Sequence, residues 1–290
     1  MSNRVCVIVN PAAGRGRGRA MLPEITARFA EAGVADIWST MAKGSENEIA
    51  TAAIHDGFRT IVVVGGDGTT TNVANAILHS GEDVRLAVMP AGTGNDFAKA
   101  VGTAKVDIPA IVRLSTGESE RRVDVGRIED NYFLNCCGFG FDVAVLEEID
   151  RTRWLKGNSV YFYTALTQLI GYRGIEAALQ SANSSRASAL HLLLVIANSE
   201  YFGGMFRIAP GAAIDDGMLD AVCIVDMPVM RRASVLASAV KGTHLAHSEC
   251  TTERAESFEL SFPMVPSYET DGELHVAQTS NPRVSSCPSA

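Results

Sequence analysis

The chain has 290 residues, which is longer than one average domain, and its hydrophobic fraction of 47% is enough for one large core or two smaller ones. Its formal net charge is -8, which argues against general nucleic-acid binding because such proteins need a surplus of Lys and Arg to contact phosphates. No apolar run reaches the roughly 20 residues that span a bilayer, and no signal peptide precedes the first apolar run, so we predict a cytoplasmic protein without a transmembrane segment.

The first part of the chain repeats a short β-branched run, a glycine-rich turn and a helical stretch. This repeat indicates parallel α/β structure. The predicted strands are 4–9, 36–40, 60–64 and 85–89, and the predicted helices are 19–32, 45–56 and 71–79.

After about residue 107 the pattern changes to short alternating runs, which predict antiparallel strands. These strands are 120–128, 132–137, 190–198 and 217–225, and helical patterns occupy 160–172 and 230–247. We therefore predict an α/β domain at residues 1–125, a mainly antiparallel β domain at 126–275, and a C-terminal tail at 276–290 that is either loose or returns to the first domain.

The six cysteines include no CxxC pair, so they form a poor framework for a metal or for disulfides. Buried, reduced thiols are the simpler interpretation. Cys136 and Cys137 are adjacent, and we expect them to face opposite sides of one strand.

Three glycine-rich loops follow predicted strands, at 10–18, 65–71 and 90–96. In an open parallel sheet, ligands bind at the carboxyl ends of the strands, and glycine lets backbone N–H groups approach a phosphate. Neither the GxxxxGK[ST] motif nor the dinucleotide-binding spacing is present. Each loop taken alone is more often a structural turn than a binding site.

Asp67 changes the interpretation of the second loop. A carboxylate inside a phosphate-binding loop would repel the ligand unless it faces a divalent cation or a water bound to that cation. Asp96 repeats this arrangement in the third loop. We therefore predict a metal-nucleotide loop, with helix N-capping as the alternative role for either aspartate.

Five motifs in order carry a resemblance that spans almost the whole chain: NPAAG at 10–14, GGDGT at 65–69, GTGNDFA at 92–98, DDG at 215–217 and DGE at 271–273. Together they resemble the diacylglycerol kinase family, specifically its soluble bacterial lipid kinase branch. The resemblance implies an N-terminal α/β domain similar to those of phosphofructokinases and NAD kinases, followed by a β-sandwich domain, with ATP and Mg²⁺ bound in the cleft.

The resemblance also implies site residues. The nucleotide would be lined by Asn10, Pro11, Ala12, Ala13, Gly14, Thr40, Gly66, Asp67, Gly68, Thr69, Thr70, Thr71, Asn72 and Thr93. A structural magnesium would lie on the turn of Ala213, Asp216 and Met218, largely through backbone oxygens. The carboxylates around the catalytic magnesium would be Asp67, Asp96 and Asp124.

The general-base role falls, by the same resemblance, on the turn at 271–273, with Asp271 preferred and Glu273 second. A primary alcohol is a weak nucleophile at neutral pH, so a carboxylate that accepts its proton assists phosphoryl transfer. Without the resemblance, this tripeptide indicates only a tight turn.

The sequence departs from the family pattern at two places. The family usually has Asn and then Glu where this chain has Thr71 and Asn72, so a carboxylate is lost from the start of that helix. The residues after His275 also lack the apolar strands and prolines that commonly close such a protein.

The leading prediction is transfer of the γ-phosphoryl of Mg-ATP to a lipid hydroxyl at the membrane surface, most simply from diacylglycerol to phosphatidic acid in phospholipid biosynthesis. A sphingoid-base or other lipid kinase, an NAD-kinase-like enzyme and a catalytically impaired nucleotide-binding regulator are the alternatives. Peripheral association with the inner face of the membrane and a homodimer are both left open. The apolar face at 154–172, beside Arg151 and Arg153, is either core or a bilayer contact.

Overall fold

The computed structural model describes residues 4–42, 44–105, 107–151, 164 and 167–290. The predicted helix at 160–172 and the apolar face at 154–172 lie mostly outside these ranges, although 164 and 167–171 are helical. The chain divides into two compact units, Met1–Arg122 and Val123–Ala290. Residues 123–125 therefore belong to the second unit, whereas the sequence analysis assigns them to the first.

The first unit contains a parallel sheet of four strands in the order β2-β1-β3-β4. The strands are β1 Val5–Val9, β2 Ile37–Ser39, β3 Thr60–Gly65 and β4 Arg85–Pro90. The helices are α1 Ala13–Glu31, α2 Ser45–His55, α3 Asp67–Ser80, α4 Asp96–Ala100 and α5 Ile108–Thr116. The predicted parallel α/β sheet is confirmed.

Both central strands, β1 and β3, are buried along their whole length. Alternate residues face opposite sides of the sheet: Val7 and Val62 pack with Phe29 in one core cluster, while Ile8 and Val63 pack in another. A sheet covered on both faces produces the continuous β-branched runs of these strands.

Two helices begin earlier than predicted, because the glycines in their first turns are typical of loops and not of helices. Helix α1 contains a kink in which Gly14, Arg15 and Gly16 all have positive φ, so its regular part starts beyond them. Helix α3 begins at Asp67, directly after β3, rather than at residue 71. The Thr69 and Thr70 side chains are therefore buried in the first helical turn.

The second unit is mainly antiparallel, as predicted. Its strands are β5 Val125–Ile128, β6 Asn131–Phe133, β7 Cys136–Gly140, β8 Ile175–Ser181, β9 Ser185–Ala197, β10 Tyr201–Phe202, β11 Phe206–Arg207, β12 Leu219–Val225, β13 Cys250–Ala255, β14 Ser257–Ser261, β15 Ser267–Thr270, β16 Glu273–Val276 and β17 Arg283–Cys287. Its helices are α6 Phe141–Arg151 and α7 Val229–Ala239, and a 3-10 turn spans His244–Ala246.

Hydrogen bonding joins eleven of these strands in the order β16-β15-β7-β9-β8-β14-β17-β5-β6, with β12 and β13 continuing from β9. The sheet has an apolar cluster on each face, and Cys137 belongs to one cluster while Cys136 belongs to the other. The predicted alternation of these two thiols is confirmed. All six cysteines are free and five of them are buried.

The prediction of a loose tail after residue 275 is wrong for Arg283–Cys287, which form β17. This strand pairs with β14 on one side and with β5 on the other, so it lies inside the sheet of the second unit. Val284 is fully buried at the centre of the strand. A strand with one large apolar residue among serines lacks the alternation that makes a strand recognisable in a sequence.

None of the helices in the described ranges combines the length and apolarity needed to cross a bilayer. The surface of the same residues does carry scattered exposed apolar side chains, among them Met41, Met230 and Met264.

Candidate functional site

The three glycine-rich loops of the first unit meet at the carboxyl edge of its sheet. The N–H groups of Ala91 and Gly92 both donate to the carbonyl oxygen of Gly65, at 2.7 and 3.1 Å. The N–H of Asn10 donates to the carbonyl oxygen of Val64 at 2.9 Å. The loops predicted to bind a nucleotide are therefore joined by backbone hydrogen bonds at the position where open parallel sheets bind ligands.

Glycine is required where these loops touch. A Cβ atom on Gly92 would lie 2.4 Å from Gly66 Cα, and a Cβ atom on Gly14 would lie 2.0 Å from the Ala91 carbonyl oxygen. Both contacts are with backbone atoms, which cannot swing away as a flexible side chain can. The glycine pattern of the sequence thus has a packing role in addition to any role toward a ligand.

The carboxylate of Asp67 holds the third loop. Its Oδ2 accepts the N–H of Asn95 at 2.7 Å, and its Oδ1 accepts the N–H of Asp96 at 2.5 Å. Asn95 has a left-handed φ of 54°, and its amide both accepts from the N–H and donates to the carbonyl of Gly92. Asp67, which follows β3, therefore stabilises the conformation of the loop that follows β4.

Asp96 is only 5% exposed and accepts a hydrogen bond from Lys99 Nζ at 2.7 Å. The structure thus brings the two predicted metal-facing aspartates, Asp67 and Asp96, into direct contact through the Asp96 N–H. Carboxylate oxygens are the kind of donor that a hard cation such as Mg²⁺ prefers, either directly or through water.

The threonines at the start of α3 differ in their contacts. The Thr70 hydroxyl donates to the Gly66 carbonyl at 3.0 Å inside the same helix, whereas the Thr69 hydroxyl accepts from Asn10 Nδ2 at 2.9 Å. Thr71 is also buried, Asn72 is half-buried, and Thr93 in the third loop is exposed. Thr40, directly after β2, is 9% exposed, and its N–H donates to Val9.

One buried residue beside these loops is not among the site residues predicted from the sequence. Glu46, in the first turn of α2, is 3% exposed, and its Oε1 accepts from Asn10 Nδ2 at 3.2 Å. An acidic residue in a first helical turn is usually solvated and stabilises the helix dipole, so the sequence carries no signal that this one is buried.

In the second unit, Asp271 is held by a neighbouring chain segment. Its Oδ1 accepts the N–H groups of Asn135 and Cys136 at 2.9 and 3.0 Å, and its Oδ2 accepts the N–H of Leu134 at 2.7 Å. Asp271 itself has a left-handed φ of 49°. Three backbone N–H donors therefore hold this carboxylate in one orientation.

A pair of buried carboxylates lies behind this turn. A Cβ atom on Gly138 would lie 1.8 Å from Asp142 Oδ2 and 2.7 Å from Glu269 Oε1. The two carboxyl groups therefore approach the same position and face each other. Burial raises the pKa of Asp142 to about 7 against the opposing effect of nearby N–H groups, and burial together with Asp142 raises the pKa of Glu269 well above its usual range. Neither oxygen of Asp142 has a hydrogen-bond partner in the described part of the chain.

This pair predicts a pH-dependent stability. Because the pKa of Asp142 is about 7 in the folded protein and 3.8 when the group is unperturbed, as in the unfolded chain, the folded state holds an extra proton between these values, and stability falls as pH rises through that window. Asp142→Asn removes the buried charge, so we expect the melting temperature to rise by roughly 5 °C or more at pH 8 and by clearly less at pH 4.5.

Thermal melts at the two pH values test this expectation, with Asp130→Asn as the control because that side chain is 80% exposed. Equal shifts for Asp142→Asn at both pH values would contradict a buried charge at this position.

The predicted structural metal turn lies next to Asp124, which is 2% exposed. Asp124 Oδ2 accepts the N–H of Gly217 at 2.6 Å and its Oδ1 accepts the N–H of Ser289 at 2.8 Å. Asp216 accepts the N–H of Met218 at 3.0 Å and forms an ion pair with Arg254 at 3.2 Å. A cation held here by backbone oxygens would have to share Asp216 with that guanidinium group.

Asp124 therefore contacts the turn predicted to hold the structural metal through the N–H of Gly217. Across the described residues, no cluster of three or more His, Cys, Asp or Glu side chains is arranged to hold a metal ion. Any cation at either predicted site would therefore depend on backbone oxygens, waters or a bound phosphate.

Two family models match the chain. Residues 4–128 match the diacylglycerol kinase catalytic domain, and residues 135–290 match the YegS C-terminal NAD kinase beta sandwich-like domain. Together they cover nearly all of the sequence, in the same order as the two units of the structure.

Full-length relatives and solved structures agree with these matches. The chain is 26% identical over 277 residues to a diacylglycerol kinase of Staphylococcus carnosus, covering 94% of this chain and 89% of that protein. It is also 26% identical over 278 residues to a diacylglycerol kinase of Mycobacterium tuberculosis, covering 93% and 89%.

Among solved structures, a diacylglycerol kinase from Bacillus anthracis superposes with a TM-score of 0.71 at 21% identity, covering 99% of this chain and 94% of that one. An NAD kinase from Archaeoglobus fulgidus in complex with ATP superposes with a TM-score of 0.56 at 10% identity, covering 98% and 90%. At these identities the superpositions show the shared fold.

Proposed function

Because this chain belongs to the diacylglycerol kinase family, with the catalytic domain followed by the YegS-type C-terminal domain, we propose that it transfers the γ-phosphoryl group of ATP to a lipid hydroxyl group. The observation that carries the proposal is the contact between the loops at 65–69 and 92–96, pinned by the Asp67 carboxylate. Diacylglycerol, giving phosphatidic acid, is the proposed acceptor, since the full-length relatives carry that name.

The nucleotide phosphates would lie at the N-terminus of α3. This helix has 14 residues and follows β3 with only Gly66 as its N-cap, so its first N–H groups and its dipole are directed at the sheet edge. A Cβ atom on Gly65 would lie 2.5 Å from Thr69 Cβ and one on Gly66 would lie 3.2 Å from Gly92 Cα, so these glycines let the loops pack closely at that helix start. Asn10 and Thr69 add polar side chains beside that helix start.

Asp67 and Asp96 would hold Mg²⁺ through water molecules. The ion, when bound with ATP, neutralises phosphate charge and supports the loose, largely dissociative transition state of phosphoryl transfer. The chain's own part is to fix the two carboxylates, which it does through the N–H of Asp96 and through Lys99.

The turn at 271–273 would accept the proton of the acceptor hydroxyl. Asp271 is oriented by three backbone N–H groups, and Glu273 lies half-buried at the other end of the turn. A carboxylate held in one orientation and placed to accept the hydroxyl proton assists the transfer.

The test is a kinase assay on the purified protein with labelled ATP, Mg²⁺ and mixed micelles that contain diacylglycerol, a sphingoid base or a monoacylglycerol, with NAD as a water-soluble acceptor. We expect labelled phosphatidic acid. Labelled product with NAD alone would identify an NAD-kinase-like enzyme, and normal ATP binding without any labelled product would identify a regulator.

A further inference from the structure

Glu46 is a buried carboxylate that the fold itself does not satisfy. Its Oε1 accepts from Asn10 Nδ2, but its Oε2 has no hydrogen-bond partner in the part of the chain that the structure describes. A buried charged oxygen without a partner lowers stability. A residue that lowers stability beside the three predicted nucleotide loops indicates a role in the site.

The contacts of Asn10 fix which end of its amide faces Glu46. Asn10 Oδ1 accepts the backbone N–H of Ala12 at 3.0 Å, and only the amide oxygen can do so. The NH₂ group therefore faces the other way and donates to Glu46 Oε1 at 3.2 Å and to Thr69 Oγ1 at 2.9 Å. The Thr69 hydroxyl oxygen accepts this bond. The hydrogen of the same hydroxyl group has no acceptor among the described residues.

The reversed amide would have a different effect on Thr69. Its oxygen would face Thr69, take the hydroxyl hydrogen and lie against the Glu46 carboxylate, where two acceptors repel each other. Glu46 thus disfavours the reversed orientation. We propose that Glu46 is a positioning residue, which holds the Asn10 amide so that Thr69 presents its hydroxyl hydrogen to a phosphate oxygen of the nucleotide; this rests on the proposed function.

The position of Glu46 also bears on the departure from the family pattern at the start of α3. That helix has Asn72 where a carboxylate is usual, and it lies beside α2, where Asn47 Nδ2 donates to the Asn72 carbonyl at 3.4 Å. Glu46 in α2 places a carboxylate next to the same helical turn. The start of α3 therefore has a nearby carboxylate despite the loss at Asn72.

The test measures the dissociation constant of Mg-ATP by calorimetry without any lipid. We expect Glu46→Ala to weaken binding roughly tenfold, as for a hydrogen bond with a charged partner, and Glu46→Gln to stay within about twofold, because the glutamine oxygen still accepts from Asn10. Glu48→Ala, in the same helical turn but exposed, is the matched control and should change nothing. The melting temperature of Glu46→Ala should be unchanged or higher, because a buried charge is removed.

A double-mutant cycle tests whether Glu46 acts through Thr69. In a Thr69→Val background, Glu46→Ala should weaken Mg-ATP binding by less than about twofold. The same tenfold loss in both backgrounds, or a Glu46→Gln variant as weak as Glu46→Ala, would overturn the proposal, the second result because it assigns the effect to the charge itself. A wild-type protein that binds Mg-ATP but phosphorylates no lipid would contradict the proposed function and leave this inference standing.

Discussion

Asp271→Asn is expected to lower turnover of Mg-ATP and diacylglycerol about a hundredfold or more, which is the usual contribution of a general base. The dissociation constant of Mg-ATP should change by less than about threefold, because the proposed role of Asp271 is toward the acceptor hydroxyl group rather than the nucleotide. The two constants are measured separately, by a radiolabelled lipid assay and by calorimetry.

The N–H contacts of Asp271 add a second reason for a large effect. Asparagine has one acceptor oxygen, so its NH₂ group would face at least one of the three N–H donors and push the turn away. Glu273→Gln separates the two candidate bases, because Glu273 lies on the same turn. If Asp271→Asn were fully active while Glu273→Gln was not, the base would be Glu273, and full activity in both variants would remove the turn from the mechanism.

The α/β half of the fold was predictable because its signals are local. Four short strand-like runs, each followed within a few residues by glycine, place β1 to β4 within one or two residues of their observed bounds. The short helix α4 and the helix α5 were not predicted. Helix α4 has only five residues, which is too short for a helical period to be visible in the sequence. Helix α5 has Pro109 at its second position, and a proline commonly indicates the end of a helix.

In the second unit the signals are weaker because strand pairing connects distant residues. Strand β17, residues 283–287, pairs with β5, residues 125–128. Nothing in the sequence of either segment indicates that the other is its pairing partner. The two alternating thiols in β7 were predictable from the period of a strand alone, since no pairing information is needed for that.

The candidate site shows the same division. The sequence motifs predicted that the loops containing Asp67 and Asp96 lie at the same edge of the sheet. They could not show that both carboxylate oxygens of Asp67 accept backbone N–H groups of the other loop. The burial of Glu46 and the opposition of Asp142 and Glu269 were equally invisible, because each depends on a contact between elements far apart in the chain.

Asp67→Asn is expected to lower kcat/KM for Mg-ATP at least about a hundredfold. Asparagine would place an NH₂ group against the N–H of either Asn95 or Asp96, so the loop that carries Asp96 would lose its anchor. Asp83→Asn is the control, because this aspartate lies in the same unit and its side chain is 90% exposed.

A magnesium titration separates the two roles of Asp67. If Asp67 acts only by attracting the cation, raising the Mg²⁺ concentration should restore much of the activity of Asp67→Asn, because mass action replaces the lost affinity. If it acts by holding residues 95 and 96, added Mg²⁺ cannot rebuild the loop. Since both oxygens already bind N–H groups, we expect little recovery at any Mg²⁺ concentration, and recovery to within a few-fold of the wild type would show that the anchoring bonds are dispensable.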